Sequence, residues 1–269
     1  MRRTQTLRAV TVEIASLVFR ISCRYEKPIA WARETHPAFL SRRAPAIRVV
    51  VVYRARSRRL PWIAPRTVSD VPEVTGGRES TRVRTVYYRA GMDRTGRRID
   101  VTMAPGFQVD GLMRTLSALL LLSRGGLLVR AARIVSSGGA ASLVLGLPAE
   151  ERVRLATRAE VVDGFVALTP WRGGWTSFAT PFHDGLSLER HPPAPVAALY
   201  VVRPTAGAPR RLGVAAAAAL SPRLCVVDRR AEALERMLDV SARLVSTVPL
   251  YEVSSVDRLP VESHAGTLA

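Results

Sequence analysis

The chain has 269 residues, of which 48% are hydrophobic and 23% charged, enough to build one large or two small globular domains and unlike a disordered chain. Its formal net charge of +18 at pH 7 favours anions, acidic proteins or nucleic acid as partners. No nucleic-acid fold motif or aromatic-basic pattern accompanies that charge, so nucleic acid is not the expected partner.

Lys27 is the only lysine among 40 basic residues, a bias that a GC-rich genome produces as readily as a binding surface does. Cys23 and Cys225 lie too far apart in sequence to form a metal-ligand set by spacing. They read as two buried thiols in a reducing cytoplasm, the expected location. The apolar run Leu116–Leu122 is too short to cross a bilayer, so no membrane span is expected. The N-terminus begins with basic residues but has Glu13 inside its apolar part, and reads as a strand rather than an export signal.

In chain order, Ala9–Cys23 is rich in β-branched residues and predicts one or two strands. The stretch PIAWARETHPAFL predicts a short helix before Pro37. The valine run of Ala46–Arg56 predicts a strand. Residues 57–80, rich in Pro, Gly, Ser and Arg, predict a loop. TRVRTVYYRAGMDRTGRRIDVTMAP predicts two strands around a Gly-containing turn. Residues 1–105 are therefore expected to be a β-rich N-terminal region.

From Gly106 the character changes. Leu112, Leu116, Leu119 and Leu120 fall at helical spacing, and Gly125–Gly126 supplies a C-terminal stop. LLVRAARIV, the Gly138–Gly139 turn and ASLVLG then predict a hairpin or two strands of one sheet. A brief helix is expected over Arg152–Ala159. EVVDGFVALTP, GGWTSFATPFHDG and PVAALYVVRP predict strands, and VAAAAAL has high helix propensity. Arg229–Thr247 predicts the longest helix, with Leu234, Leu238, Ala242 and Val245 on its inner face. PLYEV predicts a closing strand. The expected organisation is an α/β domain with a mixed sheet over residues 106–258 and a flexible tail over 259–269.

LVLGLPAEERVR (143–154) places a strand, a Gly-bearing loop and a helix in the order of a phosphate loop. Six segments in order, LLSRGGLLVRAARIV, LVLGLPAEERVR, EVVDGFVAL, ATPFHDG, PVAALYVV and LVSTVPLYEV, resemble the HPr serine kinase-related proteins between about Gly106 and Val253. That resemblance implies a phosphoenolpyruvate carboxykinase-like P-loop fold and an ATP- and Mg²⁺-dependent serine kinase ancestry. A working phosphate loop reads G-x-x-x-x-G-K-[ST]: glycines admit the phosphates to backbone N–H groups, the Lys neutralises charge and the hydroxyl holds Mg²⁺. Laid on that pattern, Gly146 is the first Gly, but Glu151, Arg152 and Val153 occupy the second Gly, the Lys and the Ser/Thr positions. Glu150 and Glu151 then bring carboxylates to where polyphosphate would lie.

Asp163 matches one of the family's paired strand acids, and Gly164 stands in place of the other, making Asp163 a vestigial catalytic residue. The family's frequent His after the GGLL word is Arg130 here. His183 and Asp184 form a neighbouring pair suited either to acid–base chemistry or to simple solvation. His36, His191 and His264 have no partner by spacing. The resemblance therefore implies a degenerate relative that binds a protein, a peptide or an anion, with Gly146, Arg152 and Arg154 as remnants of the phosphate site. No cofactor and no metal are expected. The alternative is an active serine kinase that uses Arg152 and Arg154 for the phosphates of ATP, with Mg²⁺, and Asp163 as base.

Overall fold

The computed structural model describes residues 7–53, 72–77, 79–104, 109–156, 161–183, 192–203, 209–213 and 220–259. The chain forms two compact units, residues 1–120 with 227–230, and residues 121–226 with 231–269. The division falls inside the leucine-rich helix rather than at Gly106, where the composition changes.

The first unit is built on a mixed sheet. Its strands are β1 (Arg8–Ile14), β2 (Leu17–Cys23), β3 (Ile47–Tyr53), β4 (Glu73–Gly76), β5 (Ser80–Arg84), β6 (Tyr88–Asp93) and β7 (Arg98–Met103). Their order is β1-β2-β3-β7-β6-β5-β4, with β2, β3 and β7 parallel and the remaining pairs antiparallel. The valine run of β3 alternates buried and outward residues, as a strand with one covered face requires. Two expectations need correction. Residues 73–76 form an edge strand inside the stretch read as a loop, and what read as two strands over 81–103 belongs to three, β5, β6 and β7. Only Val74 of β4 is buried, so this strand carries almost no hydrophobic signal. The expected short helix is broken into α1 (Lys27–Ala30), a π-helical turn (Trp31–Thr35) and a 3₁₀ turn (Pro37–Phe39).

Helix α2 (Val109–Ser123) ends in a Schellman motif. Gly126 N–H donates to Leu121 O (2.8 Å) and Gly125 N–H to Leu122 O (3.1 Å), with Gly125 at φ +75°. Leu112, Met113 and Leu116 are fully buried, and Tyr88 Oη donates to Thr115 Oγ1 at 2.8 Å.

The second unit is also α/β. Its strands are β8 (Leu127–Val135), β9 (Ala141–Leu145), β10 (Val161–Trp171), β11 (Gly174–His183), β12 (Ala194–Val202), β13 (Arg210–Leu212) and β14 (Leu250–Val253). They lie in the order β11-β10-β8-β9-β12-β14-β13, with an added β11–β12 pairing. The centre β9-β12-β14 is parallel and the flanks are antiparallel. Helices α3 (Ala149–Ala156) and α4 (Ala231–Thr247) cover opposite faces. Leu127, Leu143, Leu145, Val166 and Leu250 pack with Met237, Val240 and Leu244 of α4, whereas Ala132, Val144, Ala198 and Val253 pack with Leu155 of α3. Buried Arg133 staples the β11–β12 junction: Nε donates to Ser177 Oγ (3.0 Å) and Nη2 to Pro192 O (2.5 Å).

Two expectations are corrected here. Helix α3 starts at Ala149, three residues before Arg152, so Glu150 and Glu151 form its first turn. β8 lies between β9 and β10, and Asp163 stands near the start of β10. The inner face of α4 is Met237, Val240, Ser241, Leu244 and Val245; Leu238 is 48% exposed. Of the expected inner face, Val245 is in the core and Leu234 packs against it, whereas Leu238 points outward. The VAAAAAL stretch falls mostly on residues 214–219 and the tail on 260–269, both outside the described residues, while Leu259 is buried. No described helix is long and apolar enough to cross a membrane.

Candidate functional site

The turn after β9 is set by Gly146, at φ +69°, a left-handed conformation that costs a side-chain-bearing residue about 1–2 kcal/mol. There is a second reason for glycine here. A Cβ at this position would lie 2.5 to 2.8 Å from the guanidinium atoms of Arg223. Arg223 arrives from a 3₁₀ turn over residues 220–223, which is tied to β8 by a Val129–Leu224 bridge and by Cys225 N–H donating to Leu128 O (2.9 Å).

After Gly146 the chain passes buried Leu147 and Pro148 and enters α3, whose first turn is closed by Arg152 N–H donating to Pro148 O at 3.0 Å. The Arg152 side chain folds back toward the sheet. Its Nε donates to Leu147 O (3.3 Å), and its Nη1 lies 3.1 Å from Asp163 Oδ2. That contact is a charge pair and not a hydrogen bond, and Oδ2 is buried with no hydrogen-bond donor. Asp163 itself is 5% exposed.

The sheet register explains the meeting. Ala132 of β8 lies directly between Val144 of β9 and Asp163 of β10. Arg130, two residues earlier, shares Ala132's face because side chains alternate along a strand. Small residues at 131 and 132 leave room, and a cavity of about 170 Å³ opens there, lined by Arg130, Ala132, Gly146, Arg152, Asp163 and Arg223. Among the described residues, three arginines and one carboxylate line this small pocket, with the guanidiniums of Arg152 and Arg223 placed at Asp163 and Gly146. Guanidiniums only donate hydrogen bonds and stay charged at any working pH. Among the described residues no carboxylate reaches Arg223.

The other residues singled out in the sequence fall elsewhere. Glu151 does not line this pocket. Its Oε2 accepts from Val256 N–H (2.9 Å) and Ser255 Oγ (3.4 Å), and its Oε1 lies 3.0 Å from Arg154 Nη1. Its carboxylate therefore ties α3 to the segment after β14 instead of opposing an anion. Arg154 is likewise directed at Glu151 and does not line the pocket. Val153 is 68% exposed. His183 ends β11 with its backbone opposite Gly164; its side chain and Asp184 lie outside the described residues. Arg223 carries no sequence signal, because nothing in its spacing ties it to Gly146. Arg130 is singled out in the sequence only by the resemblance, at a position where those kinases frequently carry His.

His36, read as unpartnered, has a partner in the first unit. Its Nε2 lies 3.2 Å from Asp110 Oδ1, which also accepts from Trp31 Nε1 at 2.9 Å. Burial pushes the Asp110 carboxyl up, but the hydrogen bonds from His36 and Trp31 and the charge of His36 outweigh it and hold the group below its ordinary value. Neither cysteine is in a disulfide; Cys23 is buried and Cys225 partly so. Among the described residues no group of His, Cys, Asp and Glu is arranged to hold a metal ion.

No protein-family model matches the chain, and no curated protein matches it.

Proposed function

We propose that the protein is a binding module related to the HPr serine kinases, in which the former phosphate loop has become a pocket for a small oxyanion or an anionic group of a partner protein or peptide. The observation that carries this reading is the convergence of Arg130, Arg152 and Arg223 on one cavity beside the Gly146 turn. Charge-assisted hydrogen bonds from several guanidiniums are the strongest contacts a protein offers an oxyanion. The volume of about 170 Å³ is below the roughly 300–1,000 Å³ of pockets that enclose whole small-molecule ligands. It suits a single tetrahedral anion.

Phosphoryl transfer is not part of this reading. Transfer needs a metal held at the phosphates, charge neutralisation and a group that orients the nucleophile. The hydroxyl that would ligate Mg²⁺ is replaced by outward-facing Val153, and Gly164 stands where a second strand acid would be. The deciding experiment is calorimetry with inorganic phosphate at physiological salt, using wild type and Arg223→Ala. Binding that weakens strongly in the variant supports the reading, and wild-type protein that takes up no anion overturns it.

A further inference from the structure

We propose that the pocket selects an oxyanion that carries its own proton, taking hydrogenphosphate in preference to sulfate, with Asp163 as the selecting residue. This rests on the reading of the pocket as an anion site and adds a ligand class to it.

Arg130, Arg152 and Arg223 present only N–H donors to the cavity. Asp163, on the same wall, is a buried carboxylate and presents only acceptors. The nearby Arg152 Nη1 compensates its charge at 3.1 Å without donating a hydrogen bond to it, and Oδ2 has no donor from elsewhere. A carboxylate this buried and this short of donors favours a ligand that brings a donor to the face it turns to the cavity.

A fully deprotonated tetrahedral anion cannot do so. Sulfate at neutral pH sets its oxygens against the carboxylate with no proton between them, so two acceptors of like charge face each other. Hydrogenphosphate of similar size and shape turns its P–OH to Asp163 and its remaining oxygens to the guanidiniums. A pocket of arginines alone would not distinguish these anions, because both satisfy N–H donors equally. The carboxylate supplies the repulsive element that specificity requires.

The test measures affinities for phosphate, arsenate, sulfate and selenate by calorimetry at pH 7 and fixed ionic strength, in wild type and Asp163→Asn. Phosphate and arsenate carry a proton at this pH, whereas sulfate and selenate do not. Sites that hydrogen-bond a ligand proton reject the analogue lacking it strongly, so the expected wild-type preference for the protonated pair is at least about 100-fold. In Asp163→Asn the amide donates as well as accepts, and the preference should fall to within about threefold. Equal wild-type binding of all four anions overturns this proposal and leaves the anion site standing. Absence of binding by any of them overturns the anion site as well. A preference that persists in a folded Asp163→Asn protein removes Asp163 from the role. If that variant does not fold, the grouping of the four anions in wild type decides alone.

Discussion

Arg152, in the first turns of α3, places its Nη1 3.1 Å from Oδ2 of Asp163 on β10. The two charges compensate each other. Breaking a buried pair by removing one partner strands the other charge. Asp163 is the more buried member, with 6% side-chain exposure against 30% for Arg152. Arg152→Ala should therefore destabilise the protein by about 3 kcal/mol, the low end for such pairs because Arg152 is partly solvated. Asp163→Asn in the Arg152→Ala background should recover most of that loss. A urea-denaturation double-mutant cycle with no coupling between the two would show that the pair is not formed in solution.

Gly146→Ala should cost about 1–2 kcal/mol through its positive φ. The added methyl meets the guanidinium of Arg223, and since that is the free end of a flexible side chain, Arg223 moves rather than the backbone. The variant should therefore keep its fold while losing affinity for phosphate. Calorimetry and thermal melting on the same sample separate the two effects. Unchanged phosphate affinity would show that Arg223 does not contribute.

On α4, the exposed and buried leucines should respond oppositely to the same change. Leu244 is 1% exposed and Leu238 is 48% exposed. Leu244→Ala should cost about 2–5 kcal/mol as a core truncation. Leu238→Asp should stay within about 0.5 kcal/mol of wild type, as surface substitutions do. A large loss for Leu238→Asp would mean that its face is covered in solution.

Purified protein incubated with Mg·ATP should show no ATP turnover above background. Set against a working phosphate loop, residues 146–153 hold no second Gly, no Lys and no Ser/Thr hydroxyl, and on β10 Gly164 rather than a second acid follows Asp163; each of those groups supports a different part of transfer. The control is Asp163→Asn. Turnover in wild type that vanishes in the control would restore the kinase reading.

Acid should weaken the first unit through Asp110. Its native value lies below the ordinary one, so its contribution is fully present above the unfolded value near 4 and is lost as pH falls through the lower native value. Asp110→Asn should remove that part of the acid dependence. Chemical denaturation at pH 6 and at pH 3 measures it: the gap in stability between the two should be smaller in the variant. An identical gap would show that the contact with His36 and Trp31 does not hold the ionised carboxylate.

The sequence by itself determined which segments become strands and helices wherever the local signal was strong. The valines of β3, the leucines of α2 with their Gly125–Gly126 stop, and the β8–β9 hairpin around Gly138–Gly139 are all legible, because backbone preference and burial agree in them. The sequence also marked the turn at Gly146 between strand and helix, since a glycine there follows from residue identity alone. Tertiary structure decided the rest. The inner face of α4 depends on which side meets the sheet: Val245 and Leu234 meet the core as the spacing predicts, but Met237, Val240 and Leu244 complete it where the spacing predicts Leu238. Glu151 turns to Val256 N–H and not to the pocket because the segment after β14 offers a donor that no spacing rule foresees. Asp163 meets Arg152 because β8 sets Ala132 opposite it in register, and Arg223 reaches Gly146 from 77 positions away in sequence through a bridge to Val129. Electrostatic sites are assembled from distant residues by strand order, and strand order is fixed by the packing of the whole sheet rather than by any local run of sequence.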